Sequence, residues 1–154
     1  FLMSIQAFLL YTIEAYITVP YLGITLGLSN IVLILVLYSY SYKESLIVLL
    51  LRVLLSMFFS RLPWMLLYSL SGGILAIYFM NLFKNTFKNN ISIIGVSLVG
   101  STFYNIGEII VAIILLQNLD ILFYLPIVLL SSLFTGLFIG LTSKFTLERF
   151  SETI

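Results

Sequence analysis

The sequence predicts an all-α polytopic membrane protein: a bundle of six transmembrane helices, N-in/C-in, with an irregular segment around residues 20–30. Three observations predict it. Hydrophobic residues make up 62% of the 154 and charged ones 8%, against roughly 45–50% and about 25% in a soluble globular domain. Mean hydropathy is +1.21. The polar residues fall at intervals that leave six apolar runs, each about as long as a bilayer is thick.

In order, the runs cover residues 1–18, 24–41, 44–62, 64–83, 91–116 and 123–143. At ~1.5 Å per residue each reaches roughly 27 Å or more, enough to cross a ~30 Å hydrocarbon core with modest adjustment. The first reads as a helix rather than a signal peptide, because Glu14 interrupts it and no small-residue cleavage site follows. The second is unbroken only from Ile31 to about Tyr40, ~15 Å as a helix, so Pro20-Tyr-Leu-Gly-Ile-Thr-Leu-Gly-Leu-Ser-Asn30 must supply the rest. A proline and two glycines keep part of that stretch from being plain helix, and irregular backbone persists at membrane depth only where protein buries it or water reaches it. Residues 20–30 are therefore expected to line a cavity. The third run opens at Glu44 and carries Arg52 at its middle. The fourth begins at Trp64 and stops before the polar linker 84–90, read as the main cytoplasmic loop. The fifth carries Glu108, and the polar residues Gln117, Asn118 and Asp120 then turn the chain on the outer side before the sixth.

Orientation follows from the basic residues. With both termini cytoplasmic, Lys43, Lys84, Lys88, Lys144 and Arg149 lie inside and only Arg61 lies outside, as the positive-inside rule favours. Tyr38, Tyr40 and Tyr42 then mark the inner interface, and Trp64, Phe123 and Tyr124 the outer one. No internal repeat stands out, and one integral membrane domain is expected to account for residues 1–154.

Several chemistries are excluded by inventory. The chain has no cysteine and no histidine, the ligands that zinc and most transition-metal sites use and the base that a Ser-His-Asp arrangement needs. It also has no Gly-x-x-x-x-Gly-Lys phosphate loop. We expect no catalytic residues, no metal, no cofactor and no nucleic-acid partner.

Attention therefore falls on Glu14, Arg52 and Glu108, ionisable residues inside otherwise apolar runs, where a charge is costly. Counting from the outer ends at ~1.5 Å per residue, Glu14 lies roughly 6 Å deep and the other two roughly 12–15 Å deep. Each belongs to a stripe at helical spacing: Ala7, Tyr11, Glu14 and Thr18; Ser45, Arg52 and Ser56; Ser97, Ser101, Asn105 and Glu108. Pointing these stripes at one another around a shared space would satisfy them. Two readings stand at this point. In the first, Arg52 pairs with Glu108 or Glu14 purely to hold helices together, which leaves one acid to be protonated or compensated by water or substrate. Alternatively the groups, with Asn30 and Asn105, line a pocket open to the outside, although Asn105 could equally hydrogen-bond between packed helices. Small residues at Ser132, Gly136 and Gly140, and at Gly72, Gly73 and Ala76, predict close helix approach within the chain or against a partner subunit.

The run from Gly23 to Ile31, Lys43-Glu-Ser-Leu, Leu51-Arg-Val-Leu-Leu55, Ser71-Gly-Gly73, Ile94-Gly-Val-Ser97 and Tyr104-Asn-Ile-Gly107 resemble, in order and over nearly the whole chain, the Gx transporter family. That family is also labelled heptaprenyl diphosphate synthase component I. Its members resemble the substrate-binding S components of energy-coupling factor (ECF) transporters, six-helix membrane proteins that capture a small molecule from outside. The resemblance implies an unidentified small-molecule ligand, a separate transmembrane coupling subunit, ATPase subunits, and residence in the lipid bilayer of a bacterial cytoplasmic membrane. It suggests Glu14, Gly23, Thr25, Asn30, Arg52, Asn105 and Glu108 as substrate-binding residues. Two departures from the family pattern bear on the ligand: a lysine often stands in the place of Thr25, and His-Asn-Leu-Gly-Gln in the place of Tyr104-Asn-Ile-Gly-Glu108. The synthase label carries a different expectation, a membrane companion of a heptaprenyl diphosphate synthase or of a quinone-related redox assembly. Such a companion would be noncatalytic, because prenyl synthases hold magnesium and diphosphate on clustered aspartates and this chain has one, Asp120.

Overall fold

A backbone inside lipid must satisfy its own hydrogen bonds, and an apolar chain does so by coiling into helices. The computed structural model describes residues 2–17, 29–59 and 63–151. Six α-helices follow one another: α1 (Leu2–Ile17), α2 (Ser29–Ser39), α3 (Tyr42–Phe59), α4 (Pro63–Phe87), α5 (Ile93–Leu116) and α6 (Leu125–Ser151), with 3-10 turns at Lys88–Asn90 and Leu119–Tyr124. Among the described residues there is no β-strand. Three stretches are long and apolar enough to cross a bilayer, Leu66–Phe87, Ile93–Leu116 and Leu119–Arg149, and they make this a membrane protein. The 18 residues of α3 include Lys43, Glu44 and Arg52, and α2 has only 11 residues.

Helix α2 is described over Ser29–Ser39, and most of the expected irregular segment around residues 20–30 lies in residues 18–28, outside the described residues. The helix bounds depart from the apolar runs in two places. The linker 84–90 is not an open loop. Its first four residues complete α4 and its last three form the 3-10 turn, because nothing from Asn81 to Asn90 is glycine or proline and a helix need not stop where apolarity does. For the same reason α6 runs on to Ser151, its last turns carrying the exposed pair Lys144 and Glu148 at 3.8 Å, one helical turn apart.

Helix α2 occupies the centre and touches all five other helices. Val32, Leu33, Ile34, Val36 and Leu37 are buried, as expected of a helix apolar around its whole circumference. Its C-terminal carbonyls carry partial negative charge. Lys84 of α4 meets that charge, donating to the Leu37 carbonyl at 2.6 Å with its ammonium 4.5 Å from the centre of the Tyr38 ring. Replacing Lys84 by Met is expected to destabilise the protein by about 1 kcal/mol, read as a lower unfolding temperature in detergent; an unchanged temperature would show that the contact contributes nothing.

Around α2 the longer helices pack through small residues. On the α4/α5 seam, Gly72 and Gly107 face each other so closely that a Cβ on Gly107 would lie 2.8 Å from the Gly72 Cα. The Ser71 hydroxyl donates to the Gly107 carbonyl at 3.1 Å. Farther along, the rings of Phe79 and Phe103 stack 3.5 Å apart and Met80 fills the space beside Gly100. On the α5/α6 seam a Cβ on Gly140 would lie 2.8 Å from the Ile94 Cα. The small-residue clusters thus serve packing within the chain, bringing backbones close where lipid gives no hydrophobic drive for helix association.

Candidate functional site

The α5 stripe meets α6 rung by rung. Ser97 donates to the Gly136 carbonyl at 2.7 Å, Ser101 to the Ser132 carbonyl at 2.8 Å, and the Asn105 amide reaches the Val128 carbonyl at 3.5 Å. Each step of four along α5 matches a step of four back along α6, as two antiparallel helices require. Ser97, Ser101 and Asn105 are therefore engaged in holding α6 rather than turned toward a space shared with α3. The Asn105 contact is the longest of the three and the weakest. Glu108, the next member of the stripe, is half-buried.

The α3 stripe lies inside the bundle, with Ser45, Arg52 and Ser56 all buried. Arg52 is fully enclosed, and its Nη2 donates to the Ser69 hydroxyl of α4 at 2.6 Å. Ser56 donates back to the Arg52 carbonyl and Ser45 to the Ser41 carbonyl, so both serines satisfy their hydroxyls within α3's own chain segment. On α1, Ala7 is buried. Glu14 belongs to that helix by its backbone, and its side chain lies outside the described residues, as do Gly23 and Thr25.

Asn30 stands apart. It is 2% exposed, and neither its Oδ1 nor its Nδ2 has a hydrogen-bond partner. Ser4 and Ser143 also carry buried hydroxyls without partners, but an amide, with two donors and an acceptor, leaves more unmet. Leaving such a group empty-handed costs about 1–3 kcal/mol. Asn30 is the second described residue of α2. It also lies level with Arg52. From the α2–α3 turn, Asn30 is about 13 Å up α2 from Ser39, and Arg52 about 15 Å up α3 from Tyr42, at ~1.5 Å per residue.

The structure thus brings Asn30 and Arg52 to one level of adjoining helices and draws Asn105 to a neighbouring seam. Sequence spacing missed Lys84, which ties down the opposite end of α2. Its only signal in the sequence is a lysine directly after the end of an apolar run. A groove of about 280 Å³ lies between α4 and α5, lined by Leu67, Leu70, Ser71, Ile74, Val111, Ile114 and Leu115. With one hydroxyl in its wall it offers nothing to orient a polar ligand.

Among the described residues no group of three or more metal-ligating side chains stands together, and Asp120 is exposed in the Leu119–Tyr124 turn. No curated protein and no solved structure matches the chain. The protein family described as heptaprenyl diphosphate synthase component I matches residues 3–146. With almost its whole length covered by that match, the chain belongs to the heptaprenyl diphosphate synthase component I family.

Proposed function

We propose that this protein is the substrate-binding membrane subunit of an ECF-type importer, a single six-span domain of the cell membrane with a pocket opening outward at the N-terminal end of α2. The observation that carries the reading is the buried Asn30 amide, unpartnered at the level of the enclosed Arg52. A polar group left unsatisfied at such a cost marks a place where something else binds. In this reading Arg52 pairs with an anionic group or orients a glutamate. Asn30 supplies directional hydrogen bonds, Asn105 acts through the α5/α6 seam that it holds beside the pocket, Glu14 and Glu108 recognise a donor or cation, and Gly23 and Thr25 belong to the chain that closes the pocket. Coupling and ATPase subunits supply the energy that a chain without a phosphate loop does not.

Ligand-binding measurements on the purified protein test the assignment. Glu108→Gln, Asn105→Ala and Arg52→Met are each expected to weaken binding of the ligand that co-purifies with the wild type; unchanged affinity in all three would remove the pocket from this place.

A second reading is favoured by the family's name, which describes a component of a synthase: a noncatalytic membrane companion of a soluble prenyl synthase. Co-purification separates the two. Recovery with coupling and ATPase subunits supports transport, and stable recovery with a soluble synthase and no small molecule supports the companion.

A further inference from the structure

We infer that Ser69 is a positioning residue for the ligand: its hydroxyl, brought across from α4, fixes the plane in which the Arg52 guanidinium meets the bound molecule. This deepens the substrate-binding reading and rests on it.

The α3/α4 seam sets up the pair. Leu49 of α3 is buried, and its side chain fills the space beside Gly73 of α4, where a Cβ would collide with both of its terminal methyl groups. Arg52 lies three residues up α3 from Leu49, and Ser69 lies four residues back along α4 from Gly73. Steps of three and four keep to one helix face, so the next turn of these antiparallel helices sets Ser69 against Arg52. The close approach at Gly73 lets a side chain as short as serine reach. The Arg52 Nη2 donates to the Ser69 hydroxyl at 2.6 Å, with Arg52 fully enclosed and Ser69 4% exposed.

An arginine stem is long and rich in rotamers, while its donors lie in one rigid planar fork. Holding a single Nη therefore fixes the direction of every other N–H in the group, and the bond that holds it is charge-assisted, the stronger kind. Ser56 is the instructive contrast. It is also buried and also bonded to Arg52, but it donates to the backbone carbonyl, at 2.9 Å from within α3. One serine steadies the head group and the other the main chain, and only the first bears on how a ligand is met.

That matched pair supplies the test. The full chain in a neutral detergent is washed for increasing times, and native mass spectrometry reads the fraction of chains still holding a small molecule, so no probe is added. Ser69→Ala is expected to lose the retained molecule about tenfold faster than the wild type, the effect of one hydrogen bond to a charged group. Ser56→Ala, which also removes a buried hydroxyl, should lose it at the wild-type rate, although both variants unfold at similarly lowered temperatures. Ser69→Thr keeps the hydroxyl and should recover most of the retention. A Ser69→Ala rate equal to that of the wild type or of Ser56→Ala, no recovery in Ser69→Thr, or a Ser69→Ala chain that does not fold would overturn the inference and leave Ser69 a packing partner. The wild type keeps this distinct from the reading beneath it. A wild-type chain that retains no molecule defeats substrate binding and the inference with it, whereas a molecule held equally by wild type and Ser69→Ala defeats the role of Ser69 alone.

Discussion

Replacing Arg52 by Met is expected to abolish ligand retention at ordinary working concentrations. Arg52 is fully enclosed, and its neighbours include the Ser69 hydroxyl at 2.6 Å. Truncating one member of a buried, hydrogen-bonded charge pair costs about 2–5 kcal/mol, which is roughly 30-fold or more in affinity. The stem of Met fills most of the same volume, so packing between α3 and α4 suffers less than binding. Titration of the wild type and Arg52→Met with the ligand recovered from the wild type measures the difference. A loss of less than about threefold, with the unfolding temperature lowered instead, would assign Arg52 to helix packing alone.

Gly107→Leu is expected to have the largest effect on stability. A Cβ there would lie 2.8 Å from the Gly72 Cα and 2.9 Å from the Gly72 nitrogen. Both are backbone atoms, and no rotamer change relieves the clash. Helices α4 and α5 would have to separate, breaking the hydrogen bond from Ser71 to the Gly107 carbonyl and opening the Phe79–Phe103 stack. The cost should reach or exceed the ~1–3 kcal/mol typical of overpacking. Gly95→Ala makes the matched control. Its nearest neighbour would be the flexible Ile91 side chain at 2.9 Å, and the gain in helix propensity of up to ~1 kcal/mol works the other way. Unfolding temperatures in detergent should therefore fall steeply for Gly107→Leu and stay close to wild type for Gly95→Ala. Equal behaviour of the two would mean that α4 and α5 are not packed as described.

Much of the architecture was legible in the sequence because lipid imposes simple rules. Apolar runs set where helices lie, and small residues such as Ser132, Gly136 and Gly140 marked a face that does pack closely. The position of Arg52 inside an apolar run also marked it as a charge at membrane depth, and the structure encloses it. What spacing could not supply was the identity of the neighbour. Ser97, Ser101 and Asn105 do share a face of α5, as their period requires, yet that face meets the backbone of α6. Period fixes which residues look the same way, and only tertiary packing decides at what. The central place of α2 was hidden for a related reason: the run with the shortest unbroken stretch gave no sign that it touches every other described helix. In the sequence Lys84 looks like a loop charge because hydropathy ends at that point, while the helix continues and its ammonium reaches the Leu37 carbonyl.

On the proposed function, this membrane protein holds a small molecule of its own beside Asn30 and Arg52. Native mass spectrometry of the gently purified protein, released from detergent in the gas phase, tests it most directly. One small molecule retained per chain is expected in the wild type and none in Arg52→Met. A wild-type chain that carries no small molecule, recovered instead in a stable complex with a soluble synthase, would contradict it.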